Sequence, residues 1–162
     1  CSKGLLIVPH VTFEQCPHLD VLLVPGGQGT RKEVENPVLI NFIEEQAKNC
    51  KAVLSVCTGA FLLHKAGLLS GKRATTHWAS LDRLRALGDV IVIEERVVHD
   101  GNIWTSAGVS AGIDLMLAFI EDTVDEETAG KVQLATEYYP SARRYGAAHR
   151  SPMAPSYLKE MV

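Results

Sequence analysis

A strand that stops at a cysteine, with a helix starting almost at once, constrains this chain more than any other feature. In Ala52-Val53-Leu54-Ser55-Val56-Cys57-Thr58-Gly59-Ala60-Phe61-Leu62-Leu63, Val53, Leu54 and Val56 form the near-continuous apolar run of a strand covered on both faces. Ala60 to Ala66 are strong helix formers, and Gly67 stands where a helix would stop. Cys57 is therefore expected on a strand-to-helix turn, with Gly59 leaving room for the bend. This is the arrangement of a nucleophile elbow. Free amides and the positive dipole end at a helix start in general favour thiolate over thiol. The other role open to a cysteine here is that of a small buried hydrophobe.

The 162 residues suit one domain with an ordinary core. Net charge is −3 and no Lys/Arg-rich run occurs, so nothing points to nucleic acid or an anionic membrane. No apolar run reaches spanning length and no signal peptide is visible. Cys1, Cys16, Cys50 and Cys57 are scattered, form no C-x-x-C and fit no common zinc spacing. That usage suits a reducing cytoplasm better than a disulfide framework. The chain opens at Cys1-Ser2-Lys3-Gly4 without an initiator methionine, and a missing N-terminus is expected.

In chain order, Leu5-Leu6-Ile7-Val8 reads as a strand ended by Pro9, and Asp20 to Val24 as a second, buried one. The latter ends in Pro25-Gly26-Gly27-Gln28-Gly29-Thr30. A glycine cluster beyond a central strand lets backbone amides approach a ligand, or simply makes a tight turn with positive φ. Asn36-Pro37 reads as an N-cap followed by proline at the first helical position. Val38, Leu39, Phe42, Ile43, Gln46 and Ala47 keep helical spacing to about Asn49. Arg73 to Thr76 is extended, with His77-Trp78 at its end, and Ala79 to Leu87 is helical. Strands follow at Val90–Ile93 and Arg96–Val98, then a hairpin signal at Asp100-Gly101 and a returning strand Asn102–Ser106. Ser110 to Glu121 is a helix. Thr123 and Glu126 suggest a capping box for a last helix reaching about Tyr138. From Pro140 a polar tail is expected to wrap the surface or dock on a partner subunit.

Alternating strands and helices indicate an α/β three-layer sandwich with a mostly parallel sheet. Ligands in such sheets sit beyond the carboxyl ends of the strands, where the Gly26-Gly27 turn and Cys57 both fall. A cysteine nucleophile usually needs a base or orienting group. His77 would supply one if its segment were a parallel neighbour of the elbow strand; otherwise it is a hydrogen-bonded structural histidine. The Trp78 ring either lines the same pocket or belongs to the core.

Val24-Pro25-Gly26-Gly27, Ser55-Val56-Cys57-Thr58-Gly59-Ala60, Ala66-Gly67-Leu68-Leu69-x-Gly71-Lys72-Arg73-Ala74-Thr75-Thr76-His77-Trp78 and Thr105-Ser106-Ala107-Gly108 together resemble the ThiJ/PfpI superfamily. The resemblance runs to about Tyr139 and implies a class I glutamine amidotransferase-like, flavodoxin-like fold. The C-T-G-A elbow and T-T-H-W segment are similar to the isonitrile hydratase branch and to sensor domains of AraC-type regulators. By this resemblance Cys57 is the nucleophile and His77 the histidine near it. Gly26, Gly27 and Thr58 supply backbone to an oxyanion and substrate site. The family's acidic partner of the nucleophile would precede Cys1, on an opening strand and helix that a single domain over residues 1–162 would lack.

The activity implied is hydration of isonitriles to N-substituted formamides without metal or organic cofactor, by a cytoplasmic homodimer acting on a small molecule. Two alternatives are a glyoxalase or deglycase acting on dicarbonyls, and a thiol-based ligand or redox sensor. No room remains after the domain for a helix-turn-helix, which weighs against a DNA-binding regulator.

Overall fold

The computed structural model describes residues 4–140 and 145–159. Its central sheet has the order β1-β2-β6-β5. β1 (Val21–Val24), β2 (Ala52–Val56) and β6 (Ile103–Ser106) are parallel, and β5 (Val97–Asp100) returns antiparallel through the Asp100-Gly101 turn. β3 (Arg73–Ala74) and β4 (Ile91–Val92) pair separately as a two-stranded parallel sheet.

β2 is the spine because both of its faces are covered. Val53 packs with Leu22, Val24, Ile40, Ile43 and Leu63 on one side of the sheet. Ala52 and Leu54 pack with Trp104 and Leu115 on the other. The period-2 alternation of a strand thus feeds two cores, which gives three layers. The first core is roofed by α2 (Pro37–Ala47) and α3 (Gly59–Lys65), the second by α5 (Ala111–Thr123). α2 starts as the sequence indicates: the Asn36 carboxamide accepts the Val38 and Leu39 N–H groups at 3.1 and 3.4 Å, with Pro37 at the first position. Its inward face is Ile40, Ile43, Gln46 and Ala47, while Val38 is exposed. Buried Gln46 satisfies both ends of its amide, donating to Pro17 O and accepting from Leu19 N–H, each at 3.1 Å. That pins the loop preceding β1.

Several expectations need correction. Leu5–Val8 is not a strand, and its side chains are 63 to 91% exposed. A short apolar run becomes a strand only where a sheet receives it, and neither side of this one is covered. The capping box at Thr123 is absent. Thr123 still belongs to α5, its hydroxyl donating to Phe119 O, and α6 (Glu126–Ala135) is capped by Asp125, which accepts the Thr128 N–H at 2.6 Å. The helix after His77 is shorter than its spacing suggests: a 3-10 turn over Trp78–Ser80 leads into α4 (Leu81–Arg85).

The tail from Tyr145 to Lys159 lies over the chain's own surface; the part of the tail at 141–144 and 160–162, like the opening Cys1-Ser2-Lys3, falls outside the described residues. The first residue of α7 (Ser156–Lys159) donates from its N–H and hydroxyl to Glu94 Oε2 at 3.1 and 3.3 Å. Those bonds, with the Arg85 guanidinium beside it, hold the Glu94 carboxyl below the usual carboxylate range. Trp78, 39% exposed, lies with Pro155 and Leu158 of this tail and is therefore not a core residue. Among the described residues no helix is long and apolar enough to cross a membrane.

Candidate active site

Cys57 sits where β2 ends, with φ +58. A non-glycine residue in this region is strained, and such strain collects at functional turns. Its own backbone explains how the conformation is kept. The Cys57 N–H donates to Ser106 O at 3.0 Å and Ala107 O at 2.9 Å, and its carbonyl accepts the Thr76 hydroxyl at 2.8 Å. α3 starts two residues later at Gly59, so the predicted elbow is present.

The glycine turn lies against this elbow. A Cβ placed on Gly26 would stand 2.6 Å from Thr58 N, 2.7 Å from Val56 O and 2.8 Å from Cys57 Cβ, so only glycine fits there. Gly26 and Thr58 N–H groups have no acceptor among the described residues. The Gly27 N–H, in contrast, donates to Thr58 Oγ1 at 2.9 Å. The two glycines therefore do different work.

The strand pairing expected to carry His77 to Cys57 is absent. β2 is flanked by β1 and β6, and β3 joins β4 instead. Thr75 N–H donates to buried Thr105 Oγ1 at 2.9 Å, and Thr76 Oγ1 to Cys57 O, so the segment after β3 is fastened across the end of the central sheet. The sequence reading passed over both threonines, which were visible only as part of the T-T-H-W run. A Cβ on Gly108 would lie 3.1 Å from the His77 ring, so this glycine makes room for the imidazole. His77 Nδ1 accepts the Ala79 N–H at 3.2 Å, which places the proton of the neutral ring on Nε2.

Cys57, Gly26 and Gly27 border a cleft of about 530 Å³. Apart from them and Thr136, its walls are largely apolar, with Leu23, Val56, Ile113, Met116 and Val132 among them. Cys50 stands in contrast to Cys57. It is buried, its Sγ donates to Leu19 O at 3.2 Å, and burial pushes its thiol pKa up. Among the described residues no cluster of three or more His, Cys, Asp or Glu side chains is placed to hold a metal ion.

An elbow cysteine at the end of a parallel α/β sheet, faced by a glycine turn, defines a class of thiol-bearing α/β domains. The chain belongs to the DJ-1/PfpI family, whose model matches residues 1–122. It is 49% identical over 140 residues to the isonitrile hydratase of Pseudomonas putida, a match spanning 86% of this chain and 61% of that protein. It is 32% identical over 120 residues to the HTH-type transcriptional regulator GbdR of Pseudomonas aeruginosa, over 74% of this chain and 32% of the regulator. Among solved structures, a ThiJ/PfpI family protein from Pseudomonas syringae superposes with a TM-score of 0.84 at 37% identity. That match covers 98% of this chain and 65% of the other. The chain thus spans less than two thirds of each of these relatives.

Proposed function

We propose that this domain hydrates isonitriles to N-substituted formamides, with Cys57 as nucleophile. The observation that carries the reading is the strained, amide-pinned Cys57 facing the Gly26 turn, in a chain 49% identical to an isonitrile hydratase. The Cys57 sulfur adds to the terminal isonitrile carbon, forming the C–S bond, as the thiol's proton passes to that carbon. The product is a thioimidate. Water then adds to its carbon, one water proton passes to nitrogen, and the C–S bond breaks as the carbonyl forms. The hydroxyl proton passes to sulfur, and the Cys57 thiol is regenerated. The Gly26 and Thr58 amides stabilise charge on the oxygen during water addition and collapse. The sum is isonitrile plus water to formamide. Similarity to the regulator GbdR is weaker, at 32% identity.

The same reading makes the protein a cytoplasmic homodimer. The test is turnover of a simple alkyl isonitrile followed by NMR. The matching N-alkyl formamide is expected to accumulate as isonitrile is consumed. D-lactate from methylglyoxal, with no formamide, would replace this reading by dicarbonyl chemistry.

A further inference from the structure

The loop from β6 to α5, Ala107-Gly108-Val109-Ser110, lies against the elbow. Ala107 O accepts the Cys57 N–H at 2.9 Å, Gly108 leaves room for the His77 ring, and Val109 borders the cleft. One residue outside the site holds this loop at both ends. Arg96, just before β5, accepts the Ala107 N–H on its carbonyl at 3.0 Å. Its guanidinium reaches the other end. Nε and Nη2 lie 2.7 and 2.6 Å from Asp114 Oδ2, and Nη2 donates to Ser110 Oγ at 3.1 Å. Ser110 is turned from its ordinary use to meet it. Asn36 and Asp125 cap α2 and α6 through their side chains, and Gly29 before α1 (Thr30–Glu33) has none to offer. Ser110 occupies the N-cap position of α5, yet its hydroxyl makes no capping bond. Tyr138 donates its hydroxyl to the same Asp114 oxygen at 3.0 Å. The residue before it, Glu137, is with Cys57 one of the two non-glycine residues at positive φ among the described residues. Backbone strain of this kind persists only where the surroundings over-determine it.

We infer that Arg96 is a positioning residue: its carbonyl and its guanidinium clamp the 107–110 loop from both ends, and so hold the carbonyl that keeps Cys57 at positive φ. A planar guanidinium suits this task, because one fork serves two acceptors in fixed directions and the single ammonium of lysine does not. An exposed ion pair contributes little by itself. Arg96 and Asp114 are half-buried, however, and share their bonds with Ser110 and Tyr138, so that each bond stiffens the others. The role in turnover rests on the hydration reading; the clamp rests on the bond distances alone.

Arg96→Met keeps the stem and removes the guanidinium. In this variant, exchange of the Cys57 amide measured by NMR is expected to quicken about tenfold, as loosening of one hydrogen bond implies. The Val53 amide, which donates to Asn102 O at 2.8 Å near the start of β2, is the internal reference. Loss of global stability alone quickens Val53 at least as much as Cys57, whereas loss of the clamp quickens Cys57 more. Isonitrile turnover is expected to show kcat lowered roughly tenfold with KM nearly unchanged, the signature of a displaced reacting group. Arg96→Lys keeps the charge but cannot hold Asp114 and Ser110 together, and is expected to fall close to Arg96→Met. Ser110→Ala leaves the ion pair in place and is expected to quicken Cys57 exchange selectively by about threefold, which decides the clamp even if Arg96→Met does not fold. Val53 quickened as much as Cys57, or Cys57 not quickened at all, overturns the clamp. Selective quickening with unchanged kcat overturns its role in turnover, and an Arg96→Lys variant that behaves as wild type replaces the two-armed clamp by charge alone. A wild type that forms no formamide removes the hydration reading instead, and amide exchange in the three variants then decides the clamp by itself.

Discussion

Cys57→Ser is expected to lose isonitrile turnover by about 10⁴-fold or more while its melting midpoint stays within about 2 °C of wild type. The substitution retains the shape of the side chain and every backbone bond that keeps the elbow at positive φ. The Cys57 N–H still reaches Ser106 O and Ala107 O, and Thr76 still reaches the residue-57 carbonyl. What disappears is the sulfur nucleophile. A serine hydroxyl is a weak nucleophile unless a base removes its proton, and His77 Nδ1 is already committed to the Ala79 N–H. Cys50 cannot substitute, because its thiol is buried, bonded to Leu19 O and pushed up in pKa. Turnover assays and thermal melts on the same samples check both halves. Activity retained within tenfold, at an unchanged midpoint, would exclude covalent catalysis at this position.

Gly59→Ala is expected to give the largest stability loss among single methyl additions at the glycines of the site. The added Cβ would stand 2.3 Å from Val24 O, with Val24 C and Pro25 C at 3.1 and 3.2 Å. These are backbone atoms, so no rotamer change relieves the overlap. Val24 is itself registered with Ser55 in the β1–β2 ladder. Either α3 or the end of β1 must retreat by roughly 1 Å before ordinary contact is reached. The cost belongs at the upper end of the ~1–3 kcal/mol seen for overpacked cores. For a chain of this length that lowers the melting midpoint by about 6–12 °C. Because β1 leads into the Gly26 turn, turnover is expected to fall as well. A variant that melts with wild type would mean that the approach of α3 to β1 is not tight.

The elbow was legible in the sequence because two signals coincide at Cys57: a both-face-buried strand and the onset of helix formers. The glycine turn, the Asn36-Pro37 helix start and the Asp100-Gly101 hairpin were legible for a similar reason, each depending on local backbone chemistry. Features that depend on distant partners were not. Leu5–Val8 has the composition of a strand, but composition cannot tell whether a sheet is there to take it. Thr123 and Asp125 are both competent caps, and the choice between them depends on where α5 runs out. His77 was expected beside Cys57 through strand pairing. In the structure β3 pairs with β4, and Thr75 and Thr76 bond across the end of the central sheet, contacts spanning 30 and 19 positions. Arg96 illustrates the same limit: no periodicity marks a guanidinium whose carboxylate partner is 18 residues away.

Most directly, the central claim, that Cys57 forms a covalent bond to the isonitrile carbon, is tested by acid-quenching wild-type protein during turnover of an alkyl isonitrile and recording intact and peptide mass. The account predicts a species heavier by the mass of the isonitrile, located on the Cys57 peptide and absent from Cys57→Ser. Formamide produced at full rate with Cys57 unmodified throughout, or an adduct carried by another residue, would contradict it.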